Sequence, residues 1–403
     1  MRALATYYHK CGKTVMGCDK TEAMDLVCEL EQSIYVEDIS NHTIDKNFIY
    51  IVGNSFLDHP KVVMMKNLGC IVREYREIIE ELVYDTKIAV SGSHGKTTTT
   101  KMLSTILDSS SIVGDGSATY VDQDYLVFEA CEYKNTFLAY HPEIAVILNC
   151  DHDHVDYFKT KADYINSFIE FSKNSKVIVY NKDDINLKEL KHKNGYTFSL
   201  KDKESDLYCE YKEKKIGYKL KLYYCGKVAE MYFPYDGIHM IYDFLACYLT
   251  ARLLGVEHDD IVYRLDSFIM PKRRMEINKK NNTILVLDYA HHPSEIESTY
   301  KALRKKYPNH KVVGIYEGHT LSRSLYFKNE IKENLKKFDD AYLYPLYLSR
   351  ESDMSGVKEF YKELRIKLIS KWRMNQYLKK ENVVLVFMGA GKIDKYYKEI
   401  LNF

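Results

Sequence analysis

A short apolar run, Lys87-Ile88-Ala89-Val90, leads into Ser91-Gly92-Ser93-His94-Gly95-Lys96-Thr97-Thr98-Thr99-Thr100, and residues Thr97 to Leu107 continue with helical character. Strand, glycine-rich turn, Lys-Thr and helix make a phosphate-binding loop. Glycines let backbone N–H groups close on phosphate oxygens, and the helix start adds partial positive charge. Lys96 is placed to neutralise terminal phosphates, and Thr97 to offer a hydroxyl to Mg²⁺. The general Walker pattern needs a glycine five residues before Gly95, where Val90 stands. The pattern is instead the tighter G-x-H-G-K-T-T-T. In its strand-to-helix setting it points to an α/β fold built around a nucleoside triphosphate site, with Gly92, His94, Gly95, Lys96, Thr97 and Thr98 as its residues.

The chain of 403 residues is long for one core, so two or three domains are expected. A net charge of +1 gives no reason to expect a nucleic-acid or anionic-membrane partner. No apolar run reaches the length of a membrane span and no hydrophobic leader is visible, so a cytoplasmic protein is expected. The nine cysteines are irregularly spaced without a close C-x-x-C pair, which favours free thiols. Nothing in the sequence specifies an oligomeric state.

Residues 1–84 alternate helix-like and strand-like runs: Ala3 to Cys11 as helix, then strands at Thr14 to Cys18, Phe48 to Val52 and Cys70 to Arg73. This alternation predicts a parallel sheet. A second series, residues 85–270, has strands near Tyr125–Ala130, Glu143–Asn149 and Lys176–Tyr180, and antiparallel hairpins from Asp206 to Phe233. A helix with a broad apolar face follows from Ile238. The third series, residues 271–403, has strands near Thr283–Leu287, Lys311–Ile315, Asp340–Tyr344 and Val383–Met388.

Acids and histidines collect where these strands end. Glu129 closes Phe128-Glu129-Ala130-Cys131-Glu132, and Asn149-Cys150-Asp151-His152-Asp153-His154-Val155-Asp156 follows the next strand. In parallel sheets the carboxyl ends of strands face the ligand crevice, so both segments should converge on the phosphate loop. Hard oxygen donors beside phosphates suit Mg²⁺. Histidines among carboxylates leave zinc as an alternative, and a solvated loop as the plain one. Three further segments stand out: Asp288-Tyr289-Ala290-His291-His292-Pro293-Ser294-Glu295, Gly389-Ala390-Gly391-Lys392 and Pro271-Lys272-Arg273-Arg274. Each also has a bland explanation, as a capped helix, an ordinary turn and a basic linker.

Taken together, these five segments resemble the Mur ligases, the ATP-dependent amide-forming enzymes of peptidoglycan synthesis. The likeness runs over nearly the whole chain and is nearest to the members that join L-alanine to UDP-N-acetylmuramate. It implies three domains: a Rossmann-like N-terminal domain for the UDP moiety, a central P-loop ATPase domain, and a Rossmann-like C-terminal domain for the amino acid. The implied chemistry is phosphorylation of a carboxylate by ATP, followed by attack of an amine on the acyl phosphate. By resemblance Thr97, Glu129 and His154 would hold Mg²⁺, Lys96 and Arg274 would lie at the phosphates, and Asp288 and His292 near ATP and domain closure. His239 and Asp243 would face the adenine. Asp19, His154, His319 and Arg323 would contact the UDP-sugar or muropeptide substrate and the small amino acid.

The chain departs from the family pattern in places. The opening strand and Gly-x-Gly-Gly-x-Gly turn have no counterpart ahead of Ala3. In a doubly wound sheet that strand is central, so its apolar neighbours should be exposed. A longer natural protein and a changed acceptor both account for this. Gly237-Ile238-His239-Met240-Ile241-Tyr242-Asp243 carries Met240 and Asp243 where the family has asparagines near adenine. An amide offers a donor and an acceptor; an ionised carboxylate only accepts. Thr320 replaces a basic residue, and Cys131 replaces an acid. Two alternatives therefore stand beside the implied activity: a Mur-like ligase for another carboxylate, such as a recycled muropeptide, and a non-catalytic nucleotide-binding relative.

Overall fold

The structure, a computed structural model, describes the chain apart from residues 20–34, 54–55, 123, 350, 352–353 and 403 and the side chains of residues 19 and 35–37. Strands are numbered along the chain. The first part holds β1 (Met16–Asp19), β2 (Tyr35–Asp38), β3 (Ile49–Val52) and β4 (Ile71–Glu74). β1 pairs with β2 and β3 with β4, both in parallel. Instead of the one parallel sheet expected, the described residues form two separate ladders, because no described strand joins β1 to β3. Ile49 and Ile71, opposite each other in register, are 61% and 55% exposed. The helix Arg2–Lys10 does not cover them. It buries Ala3, Leu4 and Tyr7 against Ile112 and Ala118 of the central part.

The central sheet has ten strands: β5 (Thr86–Ser91), β6 (Ser110–Ile112), β7 (Ala118–Thr119), β8 (Tyr125–Glu129), β9 (Ile144–Ile147), β10 (Val177–Asn181), β11 (Gly195–Ser199), β12 (Leu207–Glu213), β13 (Tyr218–Tyr224) and β14 (Lys227–Phe233). Their order is β14-β13-β12-β11-β10-β9-β5-β8-β6-β7. From β5 the chain first builds β8 and β6 on one side, then β9, β10 and β11 on the other. The crevice of a parallel sheet opens where the direction of building reverses, here at the carboxyl ends of β5, β8 and β9. β12, β13 and β14 form the expected antiparallel meander. Tyr218, Leu220 and Leu222 alternate inward from β13 and meet the helix Ile238–Leu253. That helix is apolar on nearly every face, and it is correspondingly enclosed, with Phe244 to Leu249 all buried.

The last part is a five-stranded sheet in the order β15-β16-β19-β17-β18. Its strands are β15 (Glu276–Lys280), β16 (Thr283–Asp288), β17 (Lys311–His319), β18 (Asp340–Tyr347) and β19 (Val383–Met388). All pairs are parallel except β15 with β16. β19 is buried at every residue, as a strand covered by helices on both faces must be. β11 and β15 were not anticipated. β15 is a polar edge strand, Glu-Ile-Asn-Lys-Lys, whose pattern carries little apolar signal.

Candidate active site

The phosphate loop is held by its neighbours. Asn149, after β9, accepts from the His94 N–H at 2.9 Å and donates to the His94 carbonyl at 3.1 Å. The Ser93 hydroxyl donates to the Asp151 carbonyl at 2.6 Å. Gly92 has φ +144° and Gly95 φ +84°, backbone that disfavours a side chain, and Gly95 caps the helix Lys96–Leu107. The turn thus presents the N–H groups of a helix start, the geometry that binds anions.

Lys96 donates to the Gly92 carbonyl and to both oxygens of Glu132, at 3.0 and 3.2 Å. Burial, the largest single influence, would lower the Lys96 ammonium, but Glu132, Cys131 and Glu129 together outweigh it and the net shift is upward. Burial would likewise raise Glu132; Lys96 and then His154 bring it down to about 2. His154 Nε2 stands 3.4 Å from Glu132, and its ring lies against Tyr133. Glu132 is fully buried and was missed by the sequence reading, although it lies in the segment singled out there.

The Thr97 hydroxyl donates to the Glu129 carboxylate at 3.1 and 3.2 Å. One hydroxyl and one carboxylate beside a phosphate loop is a donor set that fits Mg²⁺, which retains water and takes phosphate oxygens for the rest. His154 is grouped with Glu132 rather than with this pair. Among the described residues no group of three or more His, Cys, Asp or Glu side chains could hold a metal, which leaves the zinc alternative without a ligand set.

The C-terminal segment closes over the loop. The His94 ring contacts Glu295 at 3.2 Å, Ser294 Oγ at 3.1 Å and Asp151 at 3.5 Å. Burial would lower His94, but Glu295 and Asp151 carry it up to about 10, so it is a cation at neutral pH. His292 caps the helix Pro293–Lys306, in a capping box completed by Glu295. Its ring packs against His94 and Phe327, and burial, with His94 second, lowers it to about 4. The cap role explains the His-Pro-Ser-Glu pattern, while Nε2 is buried and has no hydrogen-bond partner among the described residues. Asp288 accepts from the N–H groups of Ala290 and Met275, and burial pushes it up to about 6. The guanidinium groups of Arg273 and Arg274 each stand over the Tyr289 ring, at 4.9 and 5.1 Å from its centre.

Arg323 makes a buried two-point pair with Asp153, at 2.8 and 3.0 Å, and its remaining nitrogen faces His319 at 3.1 Å. The expected substrate arginine is therefore engaged by the loop after β9, and the pair ties the two sheets together. Removing either partner would strand a buried charge, at a cost of about 3–5 kcal/mol.

His94, Gly95, Thr98, Asp243, Arg274 and Asp288 line one cavity of about 410 Å³, together with His239. Lys96, Thr97, Glu129, His154, His319 and Arg323 do not line it. Asp19 ends β1, and its side chain lies outside the described residues.

Residues 90–251 match the Mur ligase middle domain, and residues 273–391 match the Mur ligase, glutamate ligase domain. The chain is 33% identical to a UDP-N-acetylmuramate–L-alanine ligase of Lactococcus lactis subsp. cremoris (strain MG1363), over 98% of this chain and 93% of that protein. The chain belongs to the Mur ligase family. A second UDP-N-acetylmuramate–L-alanine ligase, from Lacticaseibacillus casei (strain BL23), is 32% identical over 99% of this chain and 94% of its own length. The crystal structure of the UDP-N-acetylmuramate-alanine ligase MurC from Thermotoga maritima superimposes with a TM-score of 0.79 at 21% identity, covering 100% of this chain and 96% of that one. As a Mur ligase the chain is an ATP-dependent ligase of peptidoglycan precursor synthesis with the family's three-domain architecture. Among the described residues, no helix of this Mur ligase is long and apolar enough to cross a membrane.

Proposed function

We propose that this Mur ligase joins L-alanine to the carboxyl group of UDP-N-acetylmuramate through an acyl phosphate, at the expense of ATP and in the cytoplasm. The observation that carries this reading is the 33% identity to a UDP-N-acetylmuramate–L-alanine ligase along 98% of the chain. Residues 1–84 would receive the UDP moiety, 85–270 ATP, and 271–403 the amino acid, with Asp19, His154 and His319 as substrate contacts, while Arg323 stays on Asp153.

The residues present suit this chemistry. The N–H groups of Gly95 to Thr98 would cradle the phosphates, and Lys96, released from Glu132, would follow the charge of the transferring phosphoryl group. Thr97 and Glu129 would hold Mg²⁺, which supplies further charge neutralisation when bound. Arg274, steadied on Tyr289, would bring a second cation from the opposite domain. His239, Asp243 and Asp288 would line the nucleotide's cavity. His292, uncharged at neutral pH, keeps its position through the helix cap and would order the amine rather than carry a charge to it. The His94–Glu295 and Asp153–Arg323 pairs hold the domains closed, excluding water from an acyl phosphate.

The test is phosphate release by the purified chain given ATP, Mg²⁺, UDP-N-acetylmuramate and single amino acids. Release that depends on L-alanine is expected. No release with any amino acid overturns the proposal, and release only with a carboxylate lacking UDP transfers it to the muropeptide alternative.

A further inference from the structure

The cavity beside the phosphate loop contains a group that opposes an anionic ligand. Asp243 lies in the second turn of the helix Ile238–Leu253, is 4% exposed and lines the cavity. Its Oδ1 stands so near Gly95 that a Cβ there would collide with it. Gly95 caps the very helix whose N–H groups would face the phosphates of a bound nucleotide. A carboxylate at this place would repel the charge that Lys96 and the helix end attract.

We propose that Asp243 is a neutral acid whenever nucleotide is bound, so that nucleotide binding by this chain takes up a proton. The inference rests on the ATP-binding reading above. A protonated carboxyl carries one O–H donor and one carbonyl acceptor. Those are the two functions an amide would offer a purine edge, so the neutral acid retains what the ionised form would lose.

The surroundings set where this happens. The phosphate loop contributes His94, itself beside Asp151; the C-terminal segment contributes Arg274 and Glu295; the helix Lys96–Leu107 contributes the Thr99 hydroxyl. Asp243's own helix contributes His239 and Cys247. Burial pushes the Asp243 carboxyl up to about 7, against the pull of Arg274, Thr99 and His94. The group is thus balanced near neutrality without nucleotide, and an added polyphosphate favours the proton further. The sign follows directly. Below the ligand-free value the acid is already neutral and affinity is independent of Asp243. Above it a proton must be acquired, and affinity falls.

The experiment is calorimetric titration of the full chain with ADP and Mg²⁺ between pH 6.5 and 9, in two buffers of different protonation enthalpy. In the native chain Kd should rise by up to about tenfold per pH unit above pH 7, with proton uptake approaching one. Asp243→Asn should bind more tightly at pH 9, lose most of that slope and take up correspondingly fewer protons. Equal slopes and equal uptake in the two proteins overturn the proposal. If Asp243→Asn does not fold, the native chain alone decides: no proton uptake between pH 7 and 8.5 overturns it. Absence of binding by a folded chain at every pH removes the nucleotide site itself, and this inference with it.

Discussion

The glycine turn at Gly92–Gly95 and the one at Gly389–Gly391 both follow a buried parallel strand, both are followed at once by a lysine, and both lead into a helix. In the central domain the N–H groups at the helix start, from Gly95 on, face a crevice, while Asn149 takes the His94 N–H. In the C-terminal domain the same kind of cradle is filled from within. Glu317, 1% exposed at the end of β17, accepts from the N–H groups of Gly391, Lys392 and Ile393 at 2.9, 2.9 and 3.2 Å. The acceptor that a ligand supplies at one turn is a side chain of the protein at the other. Glycine, lysine and helix start therefore create the capacity to bind an anion, and the neighbouring strand decides whether that capacity is spent internally. The central domain has its own carboxylate close by, but Glu132 takes the lysine and leaves the backbone donors alone.

The widest separation between the turns should appear in their lysines. Lys96→Ala should lower ligation turnover by about 100-fold or more, the scale on which preorganised charge acts in a transition state. Lys392→Ala, at an exposed position, should leave turnover within about twofold. A phosphate-release assay on both variants, with melting curves to confirm folding, checks this; equal losses would erase the distinction. Glu317→Ala should cost about 1–3 kcal/mol of stability, because buried N–H groups lose their acceptor, and should leave ADP affinity unchanged. Urea unfolding and calorimetry measure the two quantities. A variant that instead gained phosphate binding at the C-terminal turn would show how nearly equivalent the cradles are.

Gly95→Ala carries a smaller effect. Its left-handed backbone costs about 1–2 kcal/mol with a side chain, and the contact with Asp243 adds to this, so ADP affinity should fall about tenfold. Gly389→Ala brings a Cβ to 2.8 Å from the Glu317 Cβ and should cost stability without weakening ADP. The finest test is pH. Burial pushes Glu317 up to about 7, against the pull of the three N–H groups, whereas an unfolded glutamate titrates at about 4.3. Between those values the native state keeps a proton that the unfolded state has lost, so this group's contribution declines as pH rises and is flat above about 7. Glu317→Gln should remove that slope, up to about 1 kcal/mol between pH 6 and 7, in urea titrations.

Much of the site was legible because its parts are local. Gly92 to Thr98 fall within one turn, Glu129 ends a strand, and Asp288 to Glu295 run from strand into helix. Glu132 was passed over for a physical reason: nothing in Phe-Glu-Ala-Cys-Glu distinguishes the acid that meets Thr97 from the acid that meets Lys96. The pairing of Arg323 with Asp153 spans two sheets, and no spacing rule reaches across them. His292 was read through its chemistry, although Glu295 three residues on already marked it as a helix cap.

What the sequence determined by itself is the set of local backbone states: parallel strands ending in glycine or acid, the helices after them, and the buried helix at Ile238. Those follow from apolar period, capping residues and glycine's access to left-handed backbone, all of which act within a few residues. Only the tertiary structure decided which charge meets which. Glu132 on Lys96, Glu295 on His94, Asp153 on Arg323, Glu317 in the second cradle and Asp243 against Gly95 join residues distant in the chain. Their protonation depends on burial and on neighbours, and both exist only once the sheets have packed.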